Sequence, residues 1–182
     1  MSTATQAAGT TTWKIDPVHT MVEFAVKHMM ITTVKGRFTD VSGTVTIDEA
    51  NPAASRTEIT ITAASIDTRE PQRDTHLRSG DFLDVEKFPQ LTFRSTKIDG
   101  DAREFKMTGD LTIHGVTRPI TLDVTHEGRG KDPWGGERLG FSATGKLKRS
   151  EYGLTWNAAL ETGGFLVGDE VKIALDIQLI KQ

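Results

Sequence analysis

Five histidines are the side chains best suited to proton transfer at neutral pH: His19, His28, His76, His114 and His126. None belongs to a His-x-His or His-Glu-x-x-His pattern, so a metal site has no local support and none is expected. His76 has acids close by in sequence, at Asp81, Asp84 and Glu86. An acid/base site of His76 with Asp81, or one centred on His28, is the chemistry these residues would allow. Ser79-Gly80-Asp81 sets a hydroxyl beside a carboxylate, but without a partnered base; a helix stop followed by an N-cap explains it. No Gly-x-Ser-x-Gly elbow, P-loop or dinucleotide fingerprint occurs. The absence of cysteine removes thiolate nucleophiles, disulfides and Cys-ligated zinc together. His28 and His126 share parity with the apolar residues of their strands, and a satisfied polar rim residue accounts for each more simply than a base.

His76 lies within the stretch from Arg69 to Phe93, the one part of the chain that reads as helical. Pro71 suits a first turn, because its φ is preset and its missing N–H would be unpaired there. Asp74 and Arg78 are four apart with the acid first, the favourable order for a helical pair. Gly80 predicts the stop, and Asp81 the cap of a second short turn. The apolar residues are Leu77 and, at the exit, Phe82, Leu83, Val85 and Phe88. That is too little for a core helix. The segment from Arg69 to Gly80 is therefore expected to be a cover, pinned by aromatics that drop into something hollow.

Elsewhere period-two alternation dominates. Val22, Phe24, Val26 and His28 share one face. Val34, Gly36 and Phe38 continue on even numbers, but Val41, Gly43, Val45 and Ile47 on odd ones, which predicts a bulge or sharp bend near Thr39–Asp40. Asn51-Pro52 is a turn signal, and Ile59, Ile61 and Ala63 follow in a strand. Leu91 and Phe93, then Phe105, Met107, Gly109 and Leu111, then Ile120 and Leu122 continue the pattern. Asp99-Gly100 and His114-Gly115 read as hairpin turns, and Arg118-Pro119 as an edge or bulge. Residues 127–137 read as a glycine-rich loop, and residues 150–169, with Tyr152, Trp156 and Phe165, as a long irregular connection. Phe141, Ala143 and Gly145, and finally Val171 to Leu179, complete the strands.

About eight amphipathic antiparallel strands mean a sandwich or an up-and-down barrel. The parity switch and mid-strand glycines favour the barrel, because closure needs bent, coiled strands. Gly109, Ala143 and Gly145 make the middle of the inward faces small, which predicts a cavity; curvature alone is the other explanation. A barrel of this size is filled by side chains or holds one slender ligand.

A chain of 182 residues buries roughly 70% of its unfolded surface, so a large core needs no staple. The net charge of −3 argues against a nucleic-acid surface, and Lys146, Lys148 and Arg149 read as a solvated strand end. No run approaches the ~18 apolar residues of a membrane span. Residues 1–12 have no signal-peptide pattern and read as a disordered polar tail, with one domain over 13–182 and a cytoplasmic location expected.

Four motifs in order resemble the YceI-like proteins. They are Trp13 to Met29 (WKIDPVHT, then VEFAVKHM), Arg73 to Asp84 (RDTHLRSGDFLD) through Phe88-Pro89, Gly109 to Pro119 (GDLTIHGVTRP), and Val167 to Val171 (VGDEV). The resemblance spans residue 13 to about 181. It implies a lipocalin-like antiparallel barrel that binds a polyisoprenoid lipid, such as an isoprenoid quinone or polyprenyl chain, along its interior. Many members are periplasmic. The implied role is a non-catalytic carrier or sequestering protein with no cofactor beyond the bound lipid; a homodimer is left open. The expected interior contacts are Phe24, Val26, His28 and Phe38 on one side, with Phe93, Phe105, Met107, Phe141 and Ala143 around the wall. His76, Phe82 and Phe88 are expected at the mouth. The alternatives are an enzyme on the same barrel, acting on an isoprenoid-like substrate, and an interaction module using an exposed edge.

Overall fold

The alternating faces pair into one antiparallel sheet that closes on itself. The computed structural model describes residues 9–182. Its strands are β1 (Thr10–Ile15), β2 (Met21–His28), β3 (Thr32–Phe38), β4 (Val41–Asp48), β5 (Arg56–Thr62) and β6 (Ile66–Asp67). After helix α1 (Pro71–Arg78) come β7 (Gln90–Gly100), β8 (Glu104–Ile113), β9 (Val116–Lys131), β10 (Glu137–Lys148) and β11 (Val167–Lys181). The ring runs β1–β4–β5–β7–β8–β9–β10–β11 and returns to β1, giving the expected eight-stranded up-and-down barrel. Closure is made where Trp13 and Ile15 stand opposite Lys181 and Leu179.

The remaining three strands, β2, β3 and β6, extend three of these eight. β11 pairs with β1 near its C-terminus and with β2 from Met21 to His28, so β1 and β2 share one wall position. In the same way β3 continues β4, and β6 continues β5. The breaks are the 3-10 turn Pro17–His19, the corner Thr39–Asp40 and the 3-10 turn Ala63–Ser65. The last two are stitched together, Thr39 N–H donating to Ser65 and Thr62 N–H to Asp40. The bend expected at Thr39–Asp40 is thus one corner of a common shelf.

Above the shelf the wall parts between β6 and β7, and α1 fills the gap. Arg78 donates to the free carbonyls of Ala64 and Ile66 at 2.8 and 3.0 Å, while Asp74 is buried and accepts from Thr68. The expected Asp74–Arg78 pair is therefore not made; both side chains bind backbone or hydroxyl groups that a missing strand would have satisfied. The helix needs few apolar residues because it substitutes for a strand edge.

The wall also opens between β9 and β10, whose pairing stops at Asp123 opposite Thr144. Pro119 lies beyond that point, paired only with β8, so its missing N–H leaves no gap and no bulge forms. Buried Tyr152 and Leu154 fill this opening. One loop is shorter than expected, and one turn lies further along the chain than Asp99-Gly100. β9 extends through Lys131, so residues 127–131 are strand and only 132–136 form the turn. β7 extends through Gly100, and the turn at 101–103 is held by the Asp101 carboxylate. Strand β1 begins at Thr10, inside the expected tail; residues 1–8 lie outside the described residues.

Candidate ligand-binding cavity

The barrel interior holds two cavities, of about 380 and 400 Å³. The upper one lies under α1, and Phe24, Val26, His28, Phe38, His76, Phe82 and Phe93 all line it. The lower one is lined by Phe93, Phe105, Met107, Phe141 and Ala143. Both reach a waist of Ile15, Ile59, Phe93, Leu122, Leu175 and Ile177. Eleven of the twelve expected contact residues therefore face one cavity or the other.

Phe88 is the exception. Its ring packs 4.7 Å from that of His114 and over Gly115, outside both cavities. Gly115 has φ +73°, and a Cβ there would meet Phe88 at 2.6 Å, so the tight turn and the aromatic require a glycine. Phe88 anchors the cover to the β8–β9 turn from outside the wall.

The small residues at the waist behave differently from expectation. A Cβ on Gly109 would lie 2.4 Å from the Phe93 ring, and one on Gly145 would lie 2.7 Å from Leu122. These glycines accommodate neighbouring side chains, which fill the space themselves; Ala143 alone of the three lines a cavity. Gly36 serves Phe24 in the same way, directly opposite it on the paired strand.

The mouth is closed by an aromatic cluster that spacing alone could not assemble. His76 and Phe82 contact Trp156 with ring centroids 4.7 and 5.3 Å away, and each other at 5.1 Å. Trp156 belongs to the irregular connection after β10, which crosses the upper end as a strap. Arg149, only 6% exposed, holds this strap by donating to the carbonyls of Leu154, Trp156, Val167 and Gly168. Burial pushes its guanidinium below the ordinary value, only partly offset by Asp169. The expected solvated strand end is, at Arg149, a buried clasp.

The histidines separate clearly. His76 Nε2 lies 2.8 Å from Asp81 Oδ2, the pairing the acid/base alternative requires. The Ser79 hydroxyl, however, donates to the His76 carbonyl at 2.6 Å, a helix-end contact rather than a link to the ring. His126 faces Gly128 O, His114 faces Tyr152 O, and His19 is bound to Asp16. Among the described residues, no cluster of histidine and acids is suited to hold a metal ion. The lining is mostly aliphatic and aromatic, with Glu23, Lys27, Arg73 and Arg149 as charged residues in the upper cavity and Asp48, Glu49, Asp101 and Arg129 in the lower one. Such a chamber can accommodate an apolar body, with charged side chains in reach in both cavities.

A closed antiparallel barrel with one covering helix and an apolar interior is a lipocalin-like vessel. The chain belongs to the YceI-like family: residues 13–179 match the YceI-like domain. It is 46% identical over 144 residues to Protein YceI of Escherichia coli O157:H7, covering 78% of this chain and 75% of that one. The crystal structure of Burkholderia cenocepacia BcnA superposes with a TM-score of 0.78 at 27% identity, over 90% of this chain and 98% of the other. A Saccharophagus degradans domain described as polyisoprenoid binding, and as implicated in plant cell wall breakdown, shares the fold at TM-score 0.67. It is 15% identical, over 93% of this chain and 98% of that one.

Proposed function

We propose that the barrel binds one long polyisoprenoid lipid, such as an isoprenoid quinone or polyprenyl chain, and carries or sequesters it without catalysis. The observation that supports this most is the pair of largely apolar cavities meeting at an apolar waist. A thin chain can thread such a space, and each buried methylene is worth about 0.8 kcal/mol. The description of the Saccharophagus fold relative as polyisoprenoid binding points to the same ligand class.

The His76–Asp81 pair favours one second reading, acid/base turnover of a similar lipid at the mouth. Mass spectrometry of organic extracts from the purified protein separates the two. A stoichiometric, unaltered prenyl lipid is the expected result. An extract without prenyl lipid, from protein purified without detergent, overturns the binding reading; conversion of added lipid to a new product moves the assignment to the enzyme.

A further inference from the structure

The upper rim carries an apolar feature that the cavity does not use. Between β2 and β3 the chain turns through Met29, Met30 and Ile31. Met29 and Met30 have φ of 54° and 60°, a left-handed conformation that a glycine or asparagine adopts more easily. The turn nonetheless exposes its side chains, Met30 by 69% and Ile31 by 73%. Met29 N–H donates to Leu166 O at 2.8 Å, which ties the turn to the strap beside Phe165, itself 60% exposed.

Single exposed hydrophobes are ordinary, but these lie on two segments that the Met29–Leu166 hydrogen bond holds side by side, and apolar side chains clustered into a patch mark contact surfaces. Their position identifies the partner. His28 precedes the turn and Leu166 follows Phe165, and both line the upper cavity. The patch is therefore continuous with the cavity mouth. The amides of Met29 and Ile31 are already paired, so this part of the turn can approach an apolar phase without bare donors. Methionine side chains adapt to an irregular surface, and Lys27 beside them can extend its ammonium to water or headgroups. Trp134, on the β9–β10 turn with Asp132 at the opposite end, is also exposed, as are Val18 and Met21 around the first break in the wall.

We propose that the Met29–Ile31 turn and Phe165 seat the mouth on a lipid bilayer, so that the lipid moves between bilayer and barrel without crossing water. This rests on the lipid-binding reading above. A second copy of the chain is the competing occupant of the patch.

The test uses the whole protein and phosphatidylcholine vesicles carrying solanesol. Wild-type protein should float with the vesicles. Met30→Ser with Ile31→Ser should lower the floated fraction by roughly tenfold and slow uptake from vesicles similarly. Phe165→Ser should do the same more weakly, and Trp134→Ala should float like wild type. Solanesol loaded from detergent micelles should be retained equally by all of them. The proposal is overturned if the double variant floats like wild type or if Trp134→Ala alone loses flotation. It also fails if wild type stays in the aqueous fraction as a dimer that the double variant lacks. Failure of wild type to hold micelle-delivered solanesol would defeat the lipid reading instead, while flotation still reports whether the rim docks.

Discussion

Arg138 Nη1 lies 2.6 Å from Asp16 Oδ2, joining residues 122 apart across the barrel closure. The same carboxylate accepts from Val18 N–H and His19 Nδ1, and Arg138 also reaches Gln178 and Asp132. One buried acid thus caps the first break in the wall and ties β1 to β10 and β11. Burial alone would raise its pKa, but the hydrogen bonds from His19, Arg138 and Val18 outweigh it and leave the carboxyl below its ordinary value.

A pH dependence follows with a definite sign. The unfolded chain holds the Asp16 proton more tightly than the folded one, so this contribution is complete above the ordinary value of 3.8 and drains away as pH falls below it. Asp16→Asn keeps a capping oxygen but removes the charge that Arg138 and His19 bind, and should lower stability at pH 7 by about 1–3 kcal/mol. It should also flatten the acid limb of the stability curve. Urea melts between neutral and acid pH check this, and parallel wild-type and variant curves would refute it.

Replacing Arg149 by lysine should release the strap although the charge is kept. An ammonium has three donors and no planar fork, so it cannot serve the carbonyls of Leu154, Trp156, Val167 and Gly168 together. The expected loss is about 2–3 kcal/mol, with faster proteolysis within residues 153–166. Unchanged proteolysis would mean that the strap is held by other contacts.

Phe82→Ala should loosen the cover more than the barrel. Phe82 is buried between His76, Trp156 and the upper cavity, and truncating such a ring costs about 3 kcal/mol. Amide exchange over residues 71–88 should accelerate while β8 and β9 keep their protection. Equal acceleration everywhere would show that the cover does not open independently.

Gly109→Ala and Ala143→Leu should part company. The first forces a methyl against the Phe93 ring and should destabilise by about 1–3 kcal/mol, adding no bulk of its own to either cavity. The second adds bulk to the lower cavity, so the fold should survive while lipid retention falls. Thermal melts with prenyl-lipid retention measured alongside decide it; a stable Gly109→Ala that also empties the barrel would contradict this assignment.

Much of this fold was legible because alternation survives in nearly every strand, and because the parity switch at Thr39–Asp40 has one simple physical cause. The interior faces were readable for the same reason. What alternation cannot convey is register. Phe93 lying over Gly109, and Leu122 over Gly145, depend on how neighbouring strands are offset, so a small residue in sequence looked like an empty place. Trp156 and Arg149 were hidden because the strap has no period, and their partners are reached only through the tertiary fold. Phe88 looked like Phe82 in sequence, yet Pro89 carries the chain across the outer wall to Ala63, which leaves the ring beside His114.

The closing contact between β1 and β11 also sets an order on how the molecule can be made. Apart from the pairing of β2 with β11, the other wall junctions join segments much closer along the chain, and the hairpins from β7 to β11 can each form as soon as their two arms leave the ribosome. The β11 side of the first strand has no such option: Trp13 meets Lys181 only when synthesis is nearly complete. Until then its outer edge is a vacant strand template, exposed to wrong partners. Trp13, wholly buried at that junction, is a natural reporter of the final step. With Trp134 and Trp156 replaced by phenylalanine, its fluorescence during refolding should change last, after the hairpins are protected; an early change would mean that the ends meet before the wall is built.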